Sequence, residues 1–464
     1  MADPRDRVND WITAERDASL ERLFTFLRFP SVGTDPAHDA DTRACADWVA
    51  DELAGMGFAA RTVATPGQPM VVGHHPGPGG DAPHLLYYGH YDVQPADPVS
   101  LWHTPPFEPA LVDGPHGERI VARGAVDDKG QVTTFLEAFR AWIATTGSLP
   151  CKVTVFLEGE EESGSPSLDG FLAAHGDELA ADVCVVSDTG MWDVETPALT
   201  TRLRGLVYLQ LDLTGPNRDL HSGMYGGAVL NPLNALARLV AALHDDQGRV
   251  AVPGFYDDVR PLAPELREAW AGLGFSSRAF LADIGLAEER GEPGWSTLER
   301  TWGRPTLDLN GLWGGYTGEG SKTVIPSKAH AKLSCRLVAD QDPQTIVRAL
   351  EDFVAARAPA DAQLAWTVLG AEPPMAVPLD SPWHQAADRA LRKVFATPPL
   401  SVASGGSIPA VAAIKRRLGC DSVLMGFGLE DDRVHSPNEK FERRCFENGI
   451  RSHAALLGEL ADGR

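Results

Sequence analysis

No two of the six cysteines (Cys45, Cys151, Cys184, Cys335, Cys420 and Cys445) are spaced as a Cys-x-x-Cys pair. That spacing argues against a thiolate metal site or a disulfide framework. Several fall in apolar stretches such as 182–187, where a cysteine reads as a small buried hydrophobe. Long hydrophobic runs are also missing, so no segment reads as a membrane span. The polar, acidic opening residues lack the apolar centre of a secretory leader. Together these absences point to a reducing cytosol. Basic runs are scarce, none exceeding short pieces such as Lys415–Arg417, and the formal net charge is −23. Such a surface repels phosphates, which argues against nucleic acid or anionic lipid as a partner. A Gly-x-Ser-x-Gly elbow, a P-loop and a dinucleotide fingerprint in context are absent as well.

What is present fits a soluble protein of two domains, since 464 residues exceed one ordinary core. Apolar residues from Trp11 to Leu27 recur at helical spacing, and a second helix is expected from Thr42 to Met56. Strands at 85–88, 152–157 and 183–186 then alternate with helices at 131–144 and 167–175. This rhythm predicts an α/β fold with a mainly parallel sheet flanked by helices. It changes near Thr200. Residues 206–213 alternate at period two, as a strand with one exposed face and a free edge does. A helix at 231–244 follows, then a long irregular stretch rich in Pro, Gly and Trp up to Gly320. Strands at 329–338 and 364–368 flank a helix at 343–356. The α/β style returns with helices at 382–395 and 408–417 and a strand at 422–425. The chain is therefore expected to form a discontinuous catalytic domain, 1–199 with 375–464, and an inserted smaller α+β domain, 200–374.

Five stretches of the first domain carry chemistry, mostly at strand ends, the edge where ligands bind open α/β sheets. His90 and Asp92 lie two apart on an extended segment, so both side chains point the same way, and the acid can steady the imidazole. Asp127 and Asp128 open a helix, where acids also complement the dipole. Glu158, Glu160, Glu161 and Glu162 crowd behind an apolar strand, an arrangement that repels itself without a cation. Asp188 ends the next strand, and His435 sits in a polar loop. Histidine and carboxylate together suit zinc or manganese rather than a thiolate-loving ion, and one carboxylate could bridge two ions roughly 3.5 Å apart.

In order, these motifs resemble the carnosinase and cytosolic non-specific dipeptidase branch of the aminoacylase/carboxypeptidase superfamily of dinuclear metallopeptidases, nearly end to end. The resemblance implies that His90 and Asp188 hold one ion, Glu162 and His435 the other, with Asp127 bridging. It implies that Glu161 is the general base, that Asp92 orients His90, and that the Asp127–Asp128 peptide bond is cis. Zinc is the ion expected first, with manganese or cobalt as alternatives, two per subunit. In the inserted domain His221 (of Asp219–Gly223) is implied to support the oxyanion in the partner subunit's site of a homodimer. By the same resemblance, the 322–326 and 334–338 stretches imply Thr323 and Arg336 as substrate contacts, and the Gly-rich turn at 405–409 implies Ser407. The implied reaction is metal-dependent hydrolysis of dipeptides or short peptides with a free C-terminal carboxylate. Ser404 departs from the acidic residue that often precedes this Gly-Gly pair, which leaves removal of an acyl or carbamoyl group from an N-substituted amino acid as the alternative.

Overall fold

A computed structural model describes residues 3–406 and 408–462. The chain divides into two compact units, one of residues 1–201, 377–402 and 409–464, the other of 202–376 and 403–408.

The first unit is built on a sheet whose strands run in the order Ala59–Val63, Met70–His75, Lys152–Glu158, His84–His90, Val183–Val186, Asp421–Leu424, Ala198–Leu203. The four strands from Lys152–Glu158 to Asp421–Leu424 are parallel, and antiparallel strands lie outside them. Val183–Val186 is wholly buried, as a strand covered on both faces must be. Lys129–Thr146 and Arg443–Asp462 are among its covering helices, and the first ends on Gly147 at φ 85°, where the lack of a Cβ permits the left-handed turn. All six cysteines are buried, and among the described residues no helix is long and apolar enough to cross a membrane.

The expected elements lie within a few residues of those observed, but the sequence reading omits several. Two outer strands, Ala59–Val63 and Met70–His75, are half-polar and short. A hairpin, Ala110–Gly114 with Gly117–Val121, pairs with Lys440–Glu442, and both its strands alternate too weakly to stand out. The apolar residues from Trp11 to Leu27 span two helices, Pro4–Ala14 and Arg16–Leu27.

The second unit holds a four-stranded antiparallel sheet in the order Thr306–Gly314, Lys328–Leu337, Gly205–Thr214, Gln363–Glu372. Gly205–Thr214 alternates buried and half-buried side chains along its length. Its Val207, Leu209, Leu211 and Leu213 pack with Leu236 and Leu239 of the Pro232–Ala241 helix and Leu350 and Phe353 of Pro343–Ala355. The strand has no free edge, contrary to the sequence expectation. Period two reports a one-sided face, and neighbours bond on both sides. The edges are Thr306–Gly314 and Gln363–Glu372. The stretch read as irregular contains that first edge strand and the short helices Pro264–Ala271, Ser277–Asp283 and Thr297–Trp302. Helices of one or two turns carry little periodicity, although Ser296 and Glu299 form a capping box that was legible.

Candidate two-metal active site

The site residues gather at the carboxyl ends of the parallel strands of the first unit. His90 ends its strand fully buried. Its Nδ1 lies 3.1 Å from the backbone carbonyl of Asp92 and 3.3 Å from that residue's Oδ1, an arrangement that directs Nε2 outward. Nε2 is 3.2 Å from Asp127 Oδ1. The other oxygen of Asp127 is 3.0 Å from His435 Nε2, which is 3.2 Å from Glu162 Oε2. Asp127 thus faces a histidine on each side.

Two groups follow, His90 with Asp127 and Asp188, and Asp127 with Glu162 and His435. Within each, the candidate ligand atoms lie within 4.8 Å of one another. The contacts of 3.0–3.2 Å among these atoms suit a shared ion, because zinc bonds to nitrogen and oxygen of about 2.0–2.2 Å put two ligands up to about 4.4 Å apart. The electrostatics also fit a cation. Burial, with the charges of Asp128 and Asp127, pushes the Asp188 carboxyl well above its ordinary range. Burial also pushes Glu161 up to about 7, reinforced by Glu162, Asp127 and Asp92 against the pull of His90. Asp127 goes the other way. Burial would raise it, but hydrogen bonds from His435 and His90 hold it well below the usual carboxylate range. His435 is raised to about 10 by Asp127 and Glu162, and His90 is raised well above its ordinary value, despite burial, by Asp127 and Asp92.

The seven first-unit residues singled out from the sequence are therefore brought together: His90, Asp92, Asp127, Glu161, Glu162, Asp188 and His435. Asp92 serves both groups, since its Oδ2 accepts from the Glu162 amide at 3.1 Å. The Asp127–Asp128 bond is cis. Beyond Asp128, the residues that hold these side chains in place were not singled out from sequence. Asp128, fully buried, accepts from the His90 amide at 3.2 Å, an approach open only because a Cβ at Gly89 would stand 2.7 Å from its Oδ2. Gln94 donates to Glu162 Oε2 at 2.8 Å. Arg123 and Glu439 form a buried ion pair under the Asp127 loop. Glu439 follows His435 by four residues, and that proximity was the available signal.

In the second unit, the short ladder of Leu220–His221 with Val324–Ile325 sets His221 beside Thr323, both exposed. Arg336, half-buried, is not with them. It lies near the opposite end of the Lys328–Leu337 strand, near Arg204 and Glu372. The turn at 405–406 docks there, with Arg204 donating through Nε to the Gly405 carbonyl at 3.0 Å and through its amide to Gly406 at 3.2 Å. Ser407 lies outside the described residues.

The model for peptidase family M20/M25/M40 matches residues 86–459. The chain is 30% identical to the Cys-Gly metallodipeptidase dug1 of Schizosaccharomyces pombe over 98% of each chain. It is 32% identical to the human Beta-Ala-His dipeptidase over 81% of this chain and 75% of that one. The solved structure of the di-peptidase Dug1p from Saccharomyces cerevisiae superposes with a TM-score of 0.81 at 27% identity, covering 99% of this chain and 98% of the other. The chain belongs to peptidase family M20/M25/M40, as a dipeptidase-like metal-dependent hydrolase.

Proposed function

We propose that this chain hydrolyses dipeptides with a free C-terminal carboxylate at a site for two divalent cations, zinc first among them. The observation that carries this reading is Asp127, whose two oxygens face His90 and His435 in two adjoining ligand groups. His90 and Asp188 would hold one ion, Glu162 and His435 the other. When bound, the cations supply Lewis-acid polarisation of the scissile carbonyl and make water acidic enough to ionise near neutral pH. Glu161 takes the proton from the attacking water and returns it to the departing amine nitrogen, so the amine leaves neutral. Asp92 keeps the His90 ring in place from behind.

Substrate contacts fall to the second unit. Arg336 offers a planar fork suited to a carboxylate, and His221, Thr323 and Ser407 complete the set. Eight strand positions separate Lys328, near Thr323, from Arg336, roughly 26 Å at 3.3 Å per residue. No dipeptide spans that distance. This supports a homodimer in which His221 and Thr323 of one subunit serve the other's site. Exposed apolar residues on both edge strands support pairing too: Leu309, Leu312 and Trp313 on one, Val368 and Leu369 on the other. The reading also places the enzyme in the cytosol, on the buried cysteines and acidic surface.

A second reading, release of an acyl or carbamoyl group from an N-substituted amino acid, is favoured by Ser404. Its Oγ accepts from the Gly406 amide at 3.1 Å, and a hydroxyl at this position brings no negative charge to a free α-amine. A panel of unblocked dipeptides and N-acetyl amino acids, assayed with Zn²⁺, Mn²⁺ and Co²⁺, decides between them. Turnover of the dipeptides is expected. Turnover confined to the blocked amino acids overturns the dipeptidase reading.

A further inference from the structure

One buried ion pair, which lines no substrate contact and offers no cation ligand, joins three loops of the active site. Arg123, 1% exposed, donates through Nη1 to Glu439 Oε2 at 2.7 Å. Its Nη2 faces the carbonyls of Pro95 at 3.2 Å and Ser436 at 3.5 Å, and its guanidinium lies 5.5 Å from the centre of the Trp102 ring. Glu439, fully buried, turns its remaining capacity on backbone amides. Oε2 also accepts from Gly124 at 3.0 Å, while Oε1 accepts from Val126 at 3.0 Å and Asp127 at 3.1 Å. A carboxylate offers about four acceptor positions, and four donors occupy this one. The 123–127 segment, with Gly124 at φ 82°, is thus wound around a single carboxylate instead of being held in a helix or strand.

The same pair reaches the loop of His435. Ser436 is bound by Arg123, and the residue before Glu439, Asn438, accepts from the His103 amide at 2.7 Å and donates to the Leu101 carbonyl at 2.9 Å. Asp127 and His435 therefore come from segments far apart in sequence, joined here by this salt bridge beside the ladder of Lys440–Glu442 with Gly117–Val121.

We propose that Arg123 and Glu439 are positioning residues for the metal pair. They set the distance between Asp127 and His435, and with it the affinity of the cation position formed by Asp127, Glu162 and His435. The inference rests on the two-cation reading above. A pair that merely stabilised the fold would change melting but not the affinity of the folded protein for its ions.

The test is a titration of metal-free protein with Zn²⁺ against a competing chelator, scaled to the folded fraction, alongside kcat and KM. Glu439→Gln keeps the shape but turns an NH₂ donor toward amide donors. Arg123→Lys keeps the charge but loses the fork that reaches Glu439, Pro95 and Ser436 together. Each variant is expected to weaken at least one of the two zinc affinities by about 10–100-fold, the usual cost of losing a group that orients a ligand. It is also expected to lower kcat with KM little changed. Folded variants that bind both ions as the unaltered protein does would overturn the proposal. So would failure of both variants to fold, since the pair would then hold the fold and not the site. Fewer than two ions on the unaltered protein would instead count against the two-cation reading itself.

Discussion

Adjacent glutamates can differ in role when their surroundings differ. Glu162 is tied down by Gln94 and His435, and its amide is fixed by Asp92. The Glu161 carboxylate has no hydrogen bond among the described residues, and burial brings its pKa up to about 7. A carboxylate held by no partner is free to take a proton from water and give it back. Glu161→Gln should therefore retain both cations yet lose turnover by about 10²–10⁴-fold, the usual range for a general base. Elemental analysis beside a rate measurement checks this, and near-normal activity in a fully metallated variant would refute it. Most residues that offer ligand atoms were legible in sequence because they follow a recognisable strand or open a helix, and His435 was legible by its place in the ordered set of motifs. Arg123 and Glu439 were not. Their roles are contacts across the fold, and no local pattern distinguishes a buried arginine from a surface one.

Among the elements, the helix Arg443–Asp462 has the most to do and was not read from sequence. Its apolar face is continuous with the buried core, so Phe446, Ile450, Ala454 and Leu457 pack against the sheet's covering layer. His453 sits within that face among Tyr87, Phe135 and Phe427, with Nε2 3.3 Å from Ser187 Oγ. Burial lowers its pKa to about 3. The folded chain then keeps this imidazole neutral while the unfolded chain protonates it below about 6.5. The stability it contributes is fully present above pH 6.5 and is lost as pH falls toward 3, at about 1.4 kcal/mol per pH unit for one proton. His453→Met should remove that slope, measured as the pH dependence of urea unfolding between pH 6.5 and 4. An unchanged slope would mean that the imidazole is already charged in the folded state. The four-residue strand Val183–Val186 was legible because it is apolar throughout. The hairpin at 110–121 was not, since its residues are half-polar and bounded by a tight glycine turn.

At the scale of the whole molecule, the proposed sharing of sites makes a distinctive demand on mixtures. His221→Ala and Glu161→Gln subunits are each expected to be inactive alone. After subunit exchange, a mixed dimer would carry one doubly damaged site and one intact site, so activity should partly return. No recovery in any mixture, with exchange verified, would sink the shared-site reading. The division into two units was visible as a change of rhythm near Thr200, because parallel and antiparallel sheets bury side chains with different periods. The strand order was not visible, and it has its own consequence. Asp421–Leu424 lies between Val183–Val186 and Ala198–Leu203. During synthesis on the ribosome, the first two hundred residues emerge with a slot open in the middle of their sheet, while residues 205–372 supply every strand of a second sheet. The inserted unit can close before the unit it interrupts, and the nascent chain exposes the unpaired edge of Val183–Val186 until its last segment arrives. Because His435 travels in that segment, the enzyme holds an incomplete ligand set until translation is nearly finished.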